Sequence, residues 1–448
     1  ATKRGKISTD QAKAILERNL VTTTEMDGLS KADYVIEAVF EDYGAKKEVM
    51  SRLDDVCKPT CILCSNTSSL DVDVLAAATT RPRQVLGMHF FSPAHIMQLV
   101  EVVKGEHSSA ESVHLLTDLT KKIRKVGVLV KNSPGFVGNR MIFVYVMEAM
   151  LLLEDGASVG QVDAVMRRFG MAMGPFEMSD LSGLDVGYSI RKAKGLVAET
   201  AASGAAGADA GAGAGEEGKP ERYSAIADIL YQSGRLGVKN GKGFYKYATP
   251  VRAVRPTSSS ARLGPASPPA DAPGSRRRGA EDPEVAAIIE KERHRKAVMH
   301  AAARSGVSSG LYESTSTLVQ ASKAQVDRQV ELRLLYCLIN EGFKLLGEGC
   351  VLSNRPGDID IVYNYGYGWP AYRGGPMFFA EFVIGLPALL EGLRGYAAQF
   401  PTATWFQPAP LLQAMVAGSV SVYRLQKEPG LVAELMKKGT TPTPKSKL

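Results

Sequence analysis

His89 and Glu101 are the two residues whose types and spacing suggest chemistry most directly. Residues 85–91 and 98–103 are apolar and strand-like, and the Ser-Pro-Ala sequence between them favours a turn. With the turn centred near His95, an antiparallel register places His89 opposite Glu101. A carboxylate at one ring nitrogen fixes the tautomer of an imidazole and raises its basicity, so the pair predicts a general base. A structural cross-strand polar pair is the alternative interpretation.

The composition is that of a globular protein with more than one hydrophobic core. The chain has 448 residues, 45% of them hydrophobic, and a formal net charge of +7. Its Lys and Arg residues do not alternate with aromatic residues as a nucleic-acid surface requires, so we expect no nucleic-acid partner. No run reaches the roughly 20 apolar residues of a transmembrane helix, so we expect no membrane span.

The five cysteines raise the question of a metal site. Cys61 and Cys64 have C-x-x-C spacing, but they lie in an apolar strand, and no second Cys/His pair follows at ligand distance. We therefore expect no metal, and buried, reduced thiols.

Strand and helix patterns alternate along the first part of the chain. Besides the two strands around His89, strands are predicted at residues 21–24, 32–40, 61–66 and 127–131. Helices are predicted at residues 8–20, 45–56, 72–78 and 110–124. Residues 32–40 are nearly all apolar, as in a parallel strand buried on both faces. The series predicts an α/β fold with a doubly wound, Rossmann-like parallel sheet that lacks its first strands.

After residue 134 the periodicity becomes helical, and one helical unit occurs twice. Four dipeptides, Asn139-Arg140, Glu148-Ala149, Val162-Asp163 and Gly174-Pro175, recur in order as Leu332-Arg333, Glu341-Gly342, Ile359-Asp360 and Gly375-Pro376. Two duplicated all-α domains are therefore expected. Because Leu332 replaces Asn139, we expect the second copy to be a scaffold without an active site of its own.

Two segments are too poor in large apolar residues to form a core. Residues 198–218 are rich in Ala and Gly and predict a disordered insertion. Residues 250–283 are rich in Pro, Ser and Arg and predict an interdomain linker.

Six motifs resemble, in order and spacing, those of the 3-hydroxyacyl-CoA dehydrogenases, in particular the dehydrogenase portion of peroxisomal multifunctional β-oxidation enzymes. They are VIEAVFE at 35–41, SNTSSL at 65–70, GMHFFSPAHIMQLVEVVKG at 87–105, SPGFVGNR at 133–140, MGPFE at 173–177 and GKGFYKY at 241–247. The resemblance implies a partial NAD-binding Rossmann-like domain at 1–133, a first helical domain at 134–249, the linker at 250–283 and a second helical domain at 284–445.

The resemblance also implies an activity, the oxidation of (3S)-3-hydroxyacyl-CoA to 3-oxoacyl-CoA with NAD as cofactor and an acyl-CoA thioester as substrate. His89 would remove the hydroxyl proton while hydride leaves the same carbon. Glu101 would orient His89 and stabilise the imidazolium. Ser68 and Asn139 would donate hydrogen bonds where negative charge develops.

The resemblance assigns the cofactor contacts to Ala38, Glu41, Lys46, Asn66, Ser68, Ser92 and Lys239. The residues before position 100 lie at or just after the carboxyl ends of predicted strands, where open α/β sheets bind ligands. Ser92 stands where mitochondrial-type members have asparagine, and its hydroxyl can replace part of that contact. Lys239 corresponds to a family lysine that reaches the cofactor from the helical domain.

The final residues, Ser446-Lys447-Leu448, have the form of a peroxisomal targeting signal. They predict a peroxisomal location and a peroxisomal import receptor as partner.

Two other functions are compatible with the sequence. A catalytically silent acyl-CoA-binding or structural fragment is one, because residues 1–28 contain only Gly5 and Gly28 and no glycine-rich dinucleotide loop. Such a loop brings backbone N–H groups to the cofactor pyrophosphate. We therefore expect residues 1–448 alone to bind NAD negligibly and an upstream β-α-β unit to restore binding. The other is a dehydrogenase of another short-chain hydroxy acid, which would lack the duplicated helical domain.

Overall fold

The computed structural model describes residues 7–197, 222–247, 279–304 and 321–439. These residues belong to two compact units, Ala1–Phe136 and Val137–Leu448. The predicted insertion at 198–218, most of the predicted linker and the terminal Ser-Lys-Leu lie outside the described ranges.

A five-stranded sheet organises the first unit. Its strands, in spatial order, are β1 (Tyr34–Glu37), β2 (Ile62–Ser65), β3 (Val85–Phe90), β4 (Leu99–Lys104) and β5 (Val126–Lys131). Neighbouring strands are parallel except for β3 and β4, which are antiparallel.

Helices cover both faces of this sheet. They are α2 (Tyr43–Val56), α3 (Val72–Ala76) and α4 (Ala110–Lys122), whereas the preceding helix α1 (Thr9–Ala14) buries no residue. Leu116 of α4 packs on one face with Leu86 and Val100. Gly87 points to the opposite face, where a Cβ atom on it would lie 3.2 Å from Val72 of α3. The prediction of an α/β, doubly wound, Rossmann-like sheet is confirmed.

Two strand predictions need correction. Residues 21–24 form no strand within the described part of the chain; they are exposed, because no neighbouring strand there supplies hydrogen-bond partners. The strand predicted at 32–40 is the shorter β1, and it is the edge of the described sheet instead of being buried on both faces. Val39 and Phe40, just after β1, are 42% and 88% exposed.

The second unit consists mainly of helices. Its first part contains α5 (Gly138–Glu154), α6 (Val159–Phe169), α7 (Pro175–Ser182), α8 (Leu184–Ala193) and α9 (Ile226–Gln232). A small hairpin-like pair follows, formed by β6 (Tyr245–Lys246) and β7 (Ala280–Glu281). The second part contains α10 (Pro283–Arg304), α11 (Lys323–Gly347), α12 (Pro356–Gly366), α13 (Pro376–Phe379), α14 (Leu386–Gln399), α15 (Pro410–Ala417), α16 (Val422–Lys427) and α17 (Leu431–Gly439).

The predicted linker ends earlier than residue 283. Strand β7 pairs antiparallel with β6. Asp282 is only 4% exposed and forms an ion pair with Arg235, and α10 begins at Pro283. A paired strand followed by a buried carboxylate belongs to a folded unit, so the described residues from 279 onward are not linker.

The predicted duplication is confirmed by three helices that recur in the same order. Helices α5, α6 and α7 correspond to α11, α12 and α13. Asp163 of α6 accepts two backbone N–H groups at the start of α7, both at 3.0 Å. Asp360 of α12 does the same at the start of α13. The connection before this last helix has five residues in the first copy (170–174) and nine in the second (367–375).

None of the described helices is by itself long and apolar enough to cross a membrane. Residues 376–384 and 386–399 satisfy the length and composition of a span only when counted together, across a bend of 101°.

Candidate active site

The predicted pairing of His89 with Glu101 is present in the sheet. The antiparallel register of β3 and β4 places the two residues directly opposite each other. His89 Nδ1 lies 2.8 Å from Glu101 Oε2. Glu101 is fully buried and His89 is 6% exposed, so the contact is shielded from water. Since Nδ1 faces the carboxylate, the Nε2 atom is the ring nitrogen on the side away from Glu101.

Aromatic rings form the surroundings of His89. The ring centroid of Phe91 lies 4.6 Å from that of His89, and the centroid of Phe136 lies 5.7 Å away. Both phenylalanines are buried. Apolar walls lower the local dielectric constant, which strengthens the electrostatic interaction between an imidazolium and the Glu101 carboxylate.

A buried charge pair that the sequence analysis did not identify lies at the carboxyl end of β1. Lys46 Nζ donates to Glu37 Oε1 at 2.8 Å, and Ser65 Oγ donates to Glu37 Oε2 at 2.7 Å. Glu37 and Lys46 are 4% and 1% exposed. Lys46 also lies 3.4 Å from Glu41. Lys46 is therefore held inside the fold by two carboxylates, which fix the position of its ammonium group.

Glu41 accepts a dense set of hydrogen bonds from the segment after β2. Its Oε1 atom accepts from Thr67 Oγ1 at 2.6 Å, from the Ser68 backbone N–H at 2.8 Å and from Ser68 Oγ at 3.1 Å. Burial raises the pKa of Glu41, but these hydrogen bonds and the charge of Lys46 outweigh burial and hold the pKa below its usual value. The structure thus brings together Glu41, Lys46 and Ser68, with Thr67 as an additional contact.

Asn66 joins the ends of β2 and β3. Its side-chain oxygen accepts a hydrogen bond from the backbone N–H of Phe90 at 2.8 Å. Phe90 directly follows His89 in the sequence. Ala38 and Ser92 are exposed, just past the ends of β1 and β3. Because parallel strands end at one edge of a sheet, these residues share the carboxyl edge.

The carboxyl edge has the chemistry to hold the nicotinamide half of NAD. Ala38 and Ser92 are small and exposed, so their side chains fill little space at this edge. Asn66 and Ser68 supply neutral polar groups of the kind that carboxamide and hydroxyl groups need. The carboxylate of Glu41, ionised because of its lowered pKa, can accept from a ribose hydroxyl.

Two predicted site residues, Asn139 and Lys239, belong to the second unit. The Oδ1 atom of Asn139 accepts the hydroxyl of Tyr367 at 2.7 Å. Lys239 Nζ binds both carboxylate oxygens of Asp185, at 2.7 and 2.8 Å. Neither Tyr367 nor Asp185 can be recognised from the sequence, because both partners are distant in sequence and carry no motif.

No group of three or more His, Cys, Asp or Glu side chains in the described ranges could hold a metal ion. The five cysteines are buried and free, as predicted.

Two family models match the chain. The model of the 3-hydroxyacyl-CoA dehydrogenase NAD binding domain matches residues 1–133, and that of the 3-hydroxyacyl-CoA dehydrogenase C-terminal domain matches residues 135–247.

Curated relatives match over most of the chain. The peroxisomal bifunctional enzyme of Cavia porcellus is 40% identical over 397 residues, which is 88% of this chain and 47% of the relative. The fatty acid oxidation complex subunit alpha of Shewanella sp. (strain ANA-3) is 30% identical over 400 residues, or 89% of this chain and 46% of the relative. The chain thus spans about half the length of the curated relatives it matches.

Two solved structures share the fold. The 3-hydroxybutyryl-CoA dehydrogenase of Escherichia coli has a TM-score of 0.61 at 26% identity, covering 93% of this chain and 88% of its own. The dehydrogenase part of the multifunctional enzyme 1 of C. elegans has a TM-score of 0.54 at 27% identity, covering 92% of this chain and 78% of its own.

Proposed function

The chain belongs to the 3-hydroxyacyl-CoA dehydrogenase family, and we propose that it oxidises (3S)-3-hydroxyacyl-CoA to 3-oxoacyl-CoA with NAD, using His89 as general base. The observation that carries the proposal is the buried contact between His89 and Glu101. His89 lies near the carboxyl end of β3. A dehydrogenase of this type needs one base near the substrate hydroxyl, and this imidazole has the required partner.

Glu101 sets the state of His89. By accepting a hydrogen bond from Nδ1–H, Glu101 favours the tautomer in which Nε2 carries no proton. Nε2 can then accept the hydroxyl proton of the substrate. When Nε2 takes that proton, the ring becomes an imidazolium 2.8 Å from a fully buried carboxylate. The ion pair then replaces solvation that water would otherwise provide, so proton removal is favoured although the pair is buried. The positive charge stays on His89 until the next proton transfer.

NAD supplies the acceptor for the hydride that leaves the carbinol carbon. Ala38, Glu41, Asn66 and Ser92 are proposed to hold its nicotinamide side, and Lys46 to keep Glu41 ionised and in place. Lys239 is proposed to contribute from the helical unit. Its ion pair with Asp185 is 39% to 40% exposed, so it costs little to exchange this partner for a cofactor group.

Ser68 and Asn139 are proposed as hydrogen-bond donors to the oxygen on which negative charge develops and to the nearby thioester. A donor fixed in place before the reaction stabilises such charge without reorganisation. Ser68 is anchored through its backbone N–H, which donates to Glu41 at 2.8 Å. Its hydroxyl donates to Glu41 at 3.1 Å and is proposed to turn its one proton to the substrate oxygen when substrate binds.

A turnover assay with three substrates tests this proposal and separates it from the alternatives. In the full-length protein, meaning the natural protein that contains residues 1–448, NADH should form with (3S)-3-hydroxyacyl-CoA but not with the (3R) isomer or the free 3-hydroxy acid. Comparable turnover of the free acid would indicate a dehydrogenase of another hydroxy acid. Acyl-CoA binding without NADH formation would indicate a silent binding fragment.

We also propose a peroxisomal location, with delivery by the peroxisomal import receptor. Relatives at 39% to 40% identity are named peroxisomal bifunctional enzymes, and residues 446–448 are Ser-Lys-Leu. A fluorescent reporter ending in residues 440–448 should enter peroxisomes, and the same reporter without Leu448 should stay in the cytosol. Cytosolic signal from the intact reporter would contradict the proposal.

A further inference from the structure

The connection between α12 and α13 of the second helical copy reaches the first copy at Asn139. Tyr367, the first residue after α12, donates its hydroxyl to Asn139 Oδ1 at 2.7 Å. The contact joins residues 228 positions apart. Asn139 is one of the proposed substrate-binding residues, so a side chain of the second copy touches the proposed site.

The ring of Tyr367 is fixed on two sides. It stacks on the ring of Tyr363, with centroids 5.0 Å apart and planes inclined by 24°. It also lies against the backbone of Gly138, where an added Cβ atom would come within 2.5 Å of the ring. A glycine at position 138 is therefore needed for this approach, and the hydroxyl has little freedom to leave Asn139.

The hydroxyl of Tyr367 holds the Asn139 amide by its oxygen. An asparagine side chain has one acceptor oxygen and one NH₂ donor group, and the two can exchange places by rotation. With Oδ1 engaged by an O–H donor, the NH₂ group must lie on the other side of the carboxamide. The Tyr367 hydroxyl could also accept from a rotated NH₂ group, but the rotation would place an acceptor where the proposed site needs a donor. The observed orientation, with Oδ1 on Tyr367, is therefore the one that suits the proposed role.

The duplication shows that this contact is not part of the repeated architecture. Asn139 corresponds to Leu332 in the second copy, and Tyr367 corresponds to Gly170 in the first, since Tyr367 and Gly170 each follow the equivalent helix. Neither Leu332 nor Gly170 has a polar side chain. A contact required only for packing the two copies would be expected on both sides of the pseudo-symmetric pair, but this one occurs only at the proposed site.

From these contacts we infer that Tyr367 is a positioning residue for the dehydrogenase reaction: it holds Asn139 with its NH₂ group directed to the substrate. The inference rests on the proposed function, since it assigns Asn139 a donor role in that reaction. It also gives the second helical copy a part in catalysis beyond that of a scaffold, through one hydroxyl group.

A double-mutant cycle in the full-length protein tests this inference. Tyr367→Phe removes only the hydroxyl and keeps the stacked ring. It should lower kcat by about 3- to 10-fold, the scale of one neutral hydrogen bond, and leave KM for the acyl-CoA unchanged. In the Asn139→Ala background the same change should have no further effect on kcat, because the residue it positions is gone. Tyr365→Phe, two residues earlier in the last turn of α12 and 42% exposed, is the matched control and should leave kcat unchanged.

The outcomes separate the inference from the proposed function. If Asn139→Ala lowers kcat but Tyr367→Phe does not, the positioning role is wrong and the proposed function stands. If Tyr367→Phe lowers kcat equally in both backgrounds, the hydroxyl acts elsewhere and the inference is again wrong. If Asn139→Ala leaves kcat unchanged, Asn139 has no role in the reaction, and both the proposed role of Asn139 and the inference fail.

Discussion

The same arrangement of one arginine and two carboxylates occurs twice between α5 and α11, once buried and once near the surface. The two sets are Arg333 with Glu148 and Asp155, and Arg140 with Glu341 and Glu348. In each set the arginine comes from one helical copy and the carboxylates come from the other. Corresponding members are 193 positions apart. The duplication has therefore preserved the chemistry of this contact on both sides of the pair.

The surroundings of the two arginines differ. The Arg333 side chain is 2% exposed, its guanidinium lies 4.7 Å from the centroid of the Phe400 ring, and Trp405 donates to Glu148 at 2.8 Å. The Arg140 side chain is 26% exposed. Phe400 and Trp405 follow α14, in the part of the second copy beyond the repeated helices. Residues beyond the repeated helices thus bury the Arg333 set, whereas the Arg140 set stays partly exposed to water.

Equivalent residues in a duplicated fold therefore need not contribute equally to stability or have the same role. The ion-pair chemistry was retained in both copies, whereas its burial was not. The proposed site diverges further, because Asn139 and Tyr367 have Leu332 and Gly170 as their counterparts. Shared structure is found at the centre of the duplication, and the proposed function is assigned where the copies differ.

Replacing each arginine by methionine should give the largest difference between the two sets. Arg333→Met leaves the buried Glu148 without its cation and leaves Asp155 with Arg222 alone, so it should lower the free energy of unfolding by about 3–5 kcal/mol. Arg140→Met removes a partly exposed partner and should cost only about 1 kcal/mol. Urea denaturation of both variants measures the difference. Equal losses would show that burial does not decide the strength of these contacts.

The helix-start aspartates should give a smaller difference. Asp163 uses both oxygens, which accept two backbone N–H groups and, at 2.8 Å, the hydroxyl of Tyr245. An asparagine there would place an NH₂ group against a donor, so Asp163→Asn should cost about 1–3 kcal/mol. Asp360 makes its one short contact through Oδ1, at 2.7 Å to the N–H of Met377, which asparagine can keep. Asp360→Asn should therefore cost less, and an equal or larger loss would contradict this ranking.

The same variants should change the pH dependence of stability. Burial raises the pKa of Asp163 and of Asp360 to about 7, from the usual 3.8. Between these values the folded chain holds more protons than the unfolded chain, so both groups make the free energy of unfolding fall as pH rises from about 4 to about 7. Each asparagine variant should flatten this fall. A melting temperature that depends on pH as steeply as in the unmodified chain would show that the replaced carboxyl is ionised throughout.

Local patterns in the sequence were sufficient for the cross-strand contact at the centre of the proposed site. The alternation of residues along β3 and β4 and the turn near His95 fix which side chains are opposite, so the pairing of His89 with Glu101 was predicted correctly. The Asp and Gly-Pro signals likewise revealed the duplication. Each of these features can be recognised from short patterns of residues, which a sequence displays directly.

Features that depend on distant partners were missed. The burial of Lys46 beside Glu37 depends on how α2 packs beside β1 and β2, and a lysine near a helix start is usually exposed. The pair of Asp155 and Glu348 was overlooked because the residue types differ between the copies. Residues 21–24 have strand-like composition, but composition does not show whether a neighbouring strand is present.

The variant His89→Gln tests the proposed general base most directly. Glutamine keeps a polar side chain of similar length but cannot accept a proton at neutral pH. In the full-length protein kcat should therefore fall at least ~100-fold, the usual contribution of a general base, with acyl-CoA binding and melting temperature retained. His114→Gln is the matched control, because His114 is 74% exposed and paired only with its helix neighbour Asp118 among the ion pairs of the described residues; its kcat should be unchanged. A folded His89→Gln protein that forms NADH as fast as the His114→Gln control would contradict the assignment of His89 as the base.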